Sequence, residues 1–184
     1  MPTRPYNQPP IMTTAMIFTL DEQVHLPTCL SSLHWCDDVV VVDSFSEDRT
    51  EEIAREQGAR FYQRRFDDLA RQRNWALANI EVRHPWVLLL DADERVSAPL
   101  RRELAQRLPT TGDEVAAYRL KRRYHMWGRW LPRSSLYPSW LVRLVRPARV
   151  KFYKQGHGEG ADVNGRIEAL HSDLIDENLK GFAA

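Results

Sequence analysis

The sequence predicts an α/β protein in which a mostly parallel sheet is flanked by helices. Short apolar runs alternate with amphipathic stretches as far as Gly112, and this alternation is typical of successive β-α units. The clearest run is Asp38–Asp43, in which four valines stand together. A continuous aliphatic run favours a strand that is buried on both faces. A chain of 184 residues is long enough for one domain with a full core.

The individual elements follow from periodicity and from capping residues. Strands are predicted at 13–18, 38–43, 59–63 and 85–90, and helices at 26–33, 46–57, 67–79 and 97–108. Ser46 is expected to cap the second helix, and Ser97 the fourth. Beyond Gly112 the pattern changes to strands at 115–122 and 141–146, joined by an aromatic and basic loop. Residues 172–184 are predicted to start a helix, because Ser172 is a good N-cap and acidic side chains follow it.

Charge is distributed unevenly along the chain. The net charge is +1, yet Val115–Gly158 contains eleven Lys or Arg and no Asp or Glu. This segment has three interpretations: a solvated face, a nucleic-acid surface in which Arg acts with Trp and Tyr, or a surface for an anionic acceptor and an anionic membrane. The complete lack of acids disfavours the first, and the carboxylates described next favour the third.

Carboxylates follow the predicted buried strands. Val87–Leu90 ends in Asp91 and Asp93, while Asp21 and Asp43 follow the first two strands. The carboxyl ends of neighbouring parallel strands share one edge, where ligands bind in open α/β sheets. An isolated Asp-x-Asp is commonly an acidic helix-capping turn. Several carboxylates at one edge instead indicate a site for a divalent cation and the diphosphate that it holds.

The redox and membrane signals are simple. Cys29 and Cys36 have neither the spacing of a metal site nor that of a disulfide framework, which favours a reduced, intracellular setting. No apolar run has the length of a membrane span. The first residues are polar and rich in proline, and are predicted to form a loose tail.

Four segments resemble motifs of the family 2 glycosyltransferases of the GT-A type. The segments are Thr19–Glu22, Val41–Thr50, Gln72–Leu77 and Leu89–Glu94. They are similar to the family's Thr-x-Asn-Glu loop, its Val-Asp-x-Gly-Ser-x-Asp-x-Thr motif, its Gln-Arg-Asn-x-Ala-Leu helix and its metal motif. The Asp-Ala-Asp-Glu form and the later Arg143–Arg146 most resemble the bacterial lipopolysaccharide core glucosyltransferase branch. Phe45 stands where the family has glycine, and Asp21 where it has asparagine.

The resemblance implies a GT-A fold, which is Rossmann-like, and a role for each matching residue. Asp43 would bind the uracil or ribose of a nucleotide sugar, with Asp21 or Glu22 in the same pocket. Asp91 would face the ribose or donor sugar, and Asp93 would bind Mg²⁺ or Mn²⁺ with the diphosphate. Arg73 would also bind the nucleotide sugar. Arg143 and Arg146 could steady the donor diphosphate, because arginine pairs with phosphate oxygens bidentately.

Family members of this type invert the anomeric carbon, which requires a base on the acceptor side. Glu159 and Asp162 are the acids that soon follow the basic segment, and Glu159 is assigned as the base. His157 is expected to be a further metal ligand or to orient Glu159.

Together these expectations describe a metal-dependent enzyme that transfers a hexose, expected to be glucose, from a UDP donor to an anionic lipid-linked glycan such as lipopolysaccharide core. It would work in the cytoplasm at the inner face of the membrane without nucleic acid, and a homodimer is a further expectation. The predicted organisation is a tail at 1–12, a nucleotide-sugar half at 13–112, an acceptor-side half at 113–171 and a truncated helix at 172–184. The alternatives are a non-catalytic polyanion or RNA module that uses 119–154, and a nucleotidyltransferase, which Thr19–Gln23 disfavours because it lacks glycine.

Overall fold

The structure is a computed structural model that describes residues 11–132, 137–156 and 158–180. The four helices described are α1 (Leu26–Ser31), α2 (Thr50–Glu56), α3 (Leu69–Asn79) and α4 (Ala98–Arg107). The strands of the first half are β1 (Thr13–Thr19), β2 (Asp38–Asp43), β3 (Arg60–Gln63), β4 (Trp86–Asp91) and β5 (Glu94–Val96). Those of the second half are β6 (Val115–Met126), β7 (Arg129–Trp130), β8 (Ser139–Val145), β9 (Val150–Gln155), β10 (Gly158–Val163) and β11 (Arg166–Asn178).

The main sheet has the strand order β3-β2-β1-β4-β8-β6-β11-β5. Strands β3, β2, β1 and β4 are parallel, as the sequence predicts, whereas β8 is antiparallel to both β4 and β6. Strand β7 pairs with β6 as a hairpin, and β9 with β10 forms a separate two-stranded ribbon. The mixed α/β fold is therefore confirmed, with a mostly parallel first half and a mixed second half.

The two faces of the sheet carry two cores. Helices α1, α2 and α4 cover one face, where Leu26, Ala54 and Leu100 pack on the sheet. Helix α3 and the β9-β10 ribbon cover the other face through Ala76 and Phe152. Burial from both sides explains why β1, β2 and β4 read as continuous apolar runs.

Helix α2 begins at Thr50, four residues after the predicted cap. Ser46 does not cap it, because its side chain and its amide N–H both donate to Asp43. The hydroxyl of Ser97 does accept from the Leu100 amide and caps α4 as predicted.

The predicted C-terminal helix is wrong, because residues 166–178 form β11. Its buried side chains alternate as Leu170, Leu174 and Asp176, which is the two-residue period of a strand. Strand β11 lies between β6 and β5 and bonds to both. That tertiary pairing outweighs the local helix-start signal of Ser172.

A register shift in β8 positions an arginine. Tyr118 pairs with Leu144 while Arg119 pairs with Val142, so Arg143 is an extra residue in β8. A β-bulge of this kind redirects a side chain and is common beside active sites. Among the described residues, no helix is long and apolar enough to cross a membrane.

Candidate active site

The carboxylates predicted to share an edge do share it. Strand β1 pairs with β2 and β4 in parallel, and its last residues face Asp43 on one side and Asp91 on the other. Asp21 follows β1, and Asp93 follows β4 by two residues. The C-terminal ends of three adjacent strands therefore bring four acidic side chains to one rim of the sheet.

The loop after β1 and the loop after β2 are joined by hydrogen bonds. The Asp21 N–H donates to the Ser46 hydroxyl, and the Glu47 N–H donates to Asp21 Oδ1, both at 2.8 Å. The Glu22 N–H donates to Thr50 Oγ1 at 2.9 Å. The Asp21 carboxylate thus holds the neighbouring loop.

Two residues of these loops have left-handed backbone conformations. Asp21 has φ +53° and Phe45 has φ +66°, at the positions where the resembling family carries asparagine and glycine. Those two residue types adopt this region most easily. The substitutions therefore preserve the turn, and Phe45 remains half exposed at its surface.

Asp43 is buried beneath this turn. Its side chain accepts from Thr19 Oγ1 at 2.8 Å, from Ser46 Oγ at 2.5 Å and from the Ser46 N–H at 2.8 Å. The residue is only 1% exposed. In this conformation Asp43 organises the loop, and a nucleoside reaches its carboxylate only if Ser46 moves.

Asp91 lies between two arginines. Arg73 of α3 donates to Oδ1 at 2.8 Å, and Arg143 of the β8 bulge donates to Oδ2 at 2.7 Å. Burial favours the neutral acid, but the two guanidiniums outweigh it and lower the pKa of Asp91 to about 2. Both arginine side chains are almost fully buried, whereas that of Asp91 is 30% exposed. Asp91 is therefore the member of this group that faces the rim.

The same arginines hold two further carboxylates. Arg143 contacts Glu94 Oε1 at 2.9 Å, and both Arg73 and Arg143 contact Glu159 Oε1. Glu94 is fully buried, and its other oxygen accepts from the Asp91 N–H at 2.9 Å. Glu159 Oε2 is buried and has no hydrogen-bond partner among the described residues. We call Arg73, Arg143, Asp91, Glu94 and Glu159 the arginine-carboxylate cluster.

Three successive residues of α3 each support a different part of this site. Gln72 donates to Ser44 Oγ at 2.9 Å, Arg73 enters the cluster, and the Asn74 side-chain amide exchanges two hydrogen bonds with the backbone of Phe152 in β9. The Gln-Arg-Asn motif therefore joins the β2 turn, Asp91 and the ribbon that carries Glu159. Of these three residues, the sequence predicts a site role only for Arg73.

Asp93 has a different environment from Asp91. Its carboxylate makes no hydrogen bond or ion pair with any described residue, and its main-chain carbonyl accepts from the Glu177 N–H. Burial, followed by the charges of Asp176 and Glu94, raises the pKa of Asp93 to about 8. Asp176 is itself 4% exposed, pairs through one oxygen with Arg122 at 3.1 Å and leaves the buried Oδ1 without a partner. The sequence did not indicate a role for Asp176. A helix was predicted there, and the side chain points into the protein only because the segment is a strand.

An excess of negative charge at Asp93 and Asp176 suits a divalent cation. Oxygen ligands are those that Mg²⁺ and Mn²⁺ prefer, and such ions commonly take one or two carboxylates plus phosphate oxygens. No described group of three or more Asp, Glu, His or Cys side chains is arranged as a complete metal cage. The protein groups at this rim therefore fit a metal that a diphosphate helps to hold.

One predicted site residue, Arg146, lies elsewhere. Arg146 stacks on Trp86, the first residue of β4, at 4.5 Å and donates to the Val115 carbonyl. It is thus at the opposite end of β4 from Asp91, so its predicted diphosphate role is wrong. The chain turns away at the end of β8, which the sequence alone did not reveal. His157 lies outside the described residues.

The loop after β1 is also tied to the end of the described chain. His25 is buried, bonds through Nδ1 to Glu22 Oε2 at 2.6 Å and accepts through Nε2 from the Leu179 N–H at 2.8 Å. Lys180 contacts the Glu22 carboxylate at 2.9 Å. His25 and Lys180 therefore hold Glu22 at the rim, near Asp93.

Comparison with known proteins identifies the class that this fold and site define. The model of glycosyl transferase family 2 matches residues 14–170, and the chain belongs to that family. The lipopolysaccharide core biosynthesis glycosyltransferase LpsC of Rhizobium meliloti is 30% identical over 165 residues, which are 86% of this chain and 60% of LpsC. The present chain thus spans less than two thirds of that relative.

Solved structures show the same fold. S. aureus TarS is 18% identical, covers 90% of this chain and 60% of its own, and has a TM-score of 0.60. Glucosyl-3-phosphoglycerate synthase from Mycobacterium tuberculosis, in complex with Mg²⁺ and UDP, is also 18% identical, with a TM-score of 0.52 over 74% of this chain and 57% of its own. These neighbours are glycosyltransferases of the GT-A fold.

Proposed function

We propose that this protein transfers a hexose from a UDP-hexose to an anionic lipid-linked glycan, with inversion at the anomeric carbon. Glucose is the expected sugar. The observation that carries the proposal is the division of the sheet edge into the arginine-clamped Asp91 and the unpaired Asp93. The similarity to LpsC, a lipopolysaccharide core glycosyltransferase, supports the choice of acceptor. The setting we propose is the cytoplasmic face of the membrane.

The donor would occupy the rim above β1, β2 and β4. The joined loops of Asp21 and Ser46 would form the nucleoside wall, supported from below by Asp43. Glu22 would line the same pocket, and Asp91 would face the ribose or the sugar. Arg73 and Arg143 hold Asp91 by two charged hydrogen bonds, and such bonds fix a carboxylate more firmly than neutral ones.

Asp93 and Asp176 would hold Mg²⁺ or Mn²⁺, with the diphosphate as a further ligand. When bound, the cation neutralises the charge that develops on the departing diphosphate. The complex of the M. tuberculosis synthase with Mg²⁺ and UDP supports this pairing of metal and nucleotide. His157 stays a candidate for an additional ligand.

Glu159 would act as the general base. The acceptor oxygen attacks C1, the bond from C1 to the diphosphate oxygen breaks, and the hydroxyl proton passes to a carboxylate. Oε1 of Glu159 is held by the two arginines, which leaves the unpartnered Oε2 for the proton. The ribbon β9-β10 brings this residue over the same face as Asp91.

The acceptor would lie along β6 and β8. Arg119 stacks on Trp140 at 4.9 Å, and Arg123 on Trp130 at 4.6 Å. Lys121 shares the face of Trp140 and lies 3.6 Å from Asp173. Arg123 also pairs with Asp173, so the exposed Arg119 is the cation of this row that suits a phosphate or carboxylate group on a glycan.

A donor-hydrolysis screen with Mn²⁺ and Mg²⁺ tests the proposal without an acceptor. We expect UDP-hexoses to be hydrolysed faster than other nucleotide sugars, and only with a divalent metal. Glu159→Gln should bind UDP as the wild type does but should lower kcat for transfer to lipopolysaccharide core glycan by about 10²–10⁴-fold. The arginine-carboxylate cluster has three carboxylates and two arginines, so replacing the Glu159 carboxylate with an amide should leave the fold intact. Metal-independent hydrolysis, or unchanged transfer by Glu159→Gln, would overturn the corresponding assignment.

A further inference from the structure

The hairpin formed by β6 and β7 has an unusual turn. Trp127 and Gly128 connect the two strands, with φ +48° and φ +75°, respectively. Positive φ at both central residues is typical of a tight type I′ turn, which favours asparagine, aspartate or glycine. A bulky side chain in this region is a genuine outlier and strains the backbone.

Trp127 gains no burial that offsets this strain. Its side chain is 70% exposed, the highest value among the large hydrophobic residues described. A strained and exposed tryptophan at a hairpin tip is neither the most stable choice for the turn nor a core residue. Strained residues of this kind persist at functional sites, so the position points to a binding role.

Other aromatic and basic side chains surround the tip. Trp130 is 42% exposed and contacts Tyr137 edge to face. Arg129 of β7 is exposed beside the turn. Tryptophan and tyrosine are enriched at membrane-water interfaces, and basic residues near an anionic leaflet attract it.

We propose that the β6-β7 hairpin is a membrane-docking wedge that recognises an anionic lipid bilayer. Trp127 enters the interfacial layer, and Arg129 faces the lipid headgroups. The sequence from 115 to 158 has no acid, and Glu177, which contacts the hairpin at Gly128, is paired with Arg95. The inference rests on the membrane setting of the proposed function and adds the surface through which the protein would dock, while vesicle binding can be measured apart from glycosyl transfer.

Hydrogen bonds connect the wedge to the rim of the sheet. The Gly128 N–H donates to Glu177 Oε1 at 2.9 Å, and the Glu177 N–H donates to the Asp93 carbonyl at 2.9 Å. Glu177 also pairs with Arg95 of β5. A bilayer that contacts Trp127 would therefore lie next to the Asp93 side of the site, where a lipid-linked acceptor is presented.

Vesicle co-sedimentation tests the wedge directly. We expect the full chain to bind vesicles of phosphatidylcholine with 30% phosphatidylglycerol and to bind pure phosphatidylcholine far less. Trp127→Ala should weaken the partition coefficient by about tenfold or more, as expected for an aromatic side chain withdrawn from an apolar layer. Arg129→Gln should weaken it by about fivefold. Phe66→Ala is the matched control, since Phe66 is exposed on a distant loop, and should bind normally.

A second variant separates binding from folding. Trp127→Asn places a residue that tolerates the left-handed conformation in the turn, so the melting temperature should rise by about 2–4 °C while vesicle binding falls. UDP binding by both Trp127 variants should match the wild type. Equal binding of wild type and Trp127→Ala, or equal binding to neutral and anionic vesicles, would overturn the proposal, even if glycosyl transfer is confirmed.

Discussion

The two sides of the sheet edge balance charge in opposite ways. On the α3 side, Arg73 and Arg143 are buried among Asp91, Glu94 and Glu159, and every carboxylate there contacts a guanidinium. On the β11 side, Asp93 has no partner among the described residues, and one oxygen of Asp176 is left without one.

This difference shows on which side of the site the carboxylates are already neutralised by described protein groups. The α3 side is preassembled by charged hydrogen bonds, and the pKa of Asp91 falls to about 2. On the β11 side burial and neighbouring acids raise the pKa of Asp93 to about 8, so under the proposed function a bound cation would stabilise that side. The two carboxylates of one Asp-x-Asp turn therefore have different environments.

The largest expected effect is on the α3 side. Arg143→Met removes the buried guanidinium that contacts Asp91, Glu94 and Glu159, and breaking such a largely buried ion network costs about 3–5 kcal/mol. Urea denaturation should show this loss in the free energy of unfolding. Arg146→Met is the matched control, because Arg146 lies at the other end of β4 beside the exposed Asp113. A loss in the control as large as that in Arg143→Met would contradict the special position of Arg143.

A smaller effect is expected on the β11 side, and it depends on ligands. Saturation with UDP and Mn²⁺ at about a hundred times the Kd should stabilise the wild type by about 2.7 kcal/mol. Asp93→Asn should lose most of this gain while folding normally without ligand, since its carboxylate makes no contact to lose. Thermal unfolding with Mn²⁺, UDP or both measures the effect. An undiminished gain in Asp93→Asn would exclude Asp93 as a metal ligand.

The sequence predicted the donor half better than the acceptor half, for a physical reason. Strand β2 lies where the run Asp38–Asp43 predicts it, because strands buried on both faces need continuous apolar residues. A helix was predicted where most of β11 lies, because its acidic side chains are a local signal for the start of a helix. The strands that pair with β11, β6 and β5, are far from it in the sequence, so this pairing could not be predicted. The inward direction of Asp176 depends on that pairing, and the bulge at Arg143 depends on the pairing of β8 with β6, so neither was visible in the chain.

The last expected effect is a pH dependence of stability that separates the two sides. The pKa of Asp93 is about 8 in the folded protein, and an unperturbed aspartate has a pKa of about 3.9. Between these values the folded state holds a proton that the unfolded state has lost, so stability should fall as the pH rises through this window. Each pKa unit corresponds to about 1.4 kcal/mol at most, and solvent near Asp93 will reduce it. The urea midpoints at pH 5 and pH 8 should therefore differ more for the wild type than for Asp93→Asn. An equal difference in the two proteins would show that Asp93 is not the carboxylate whose pKa is raised.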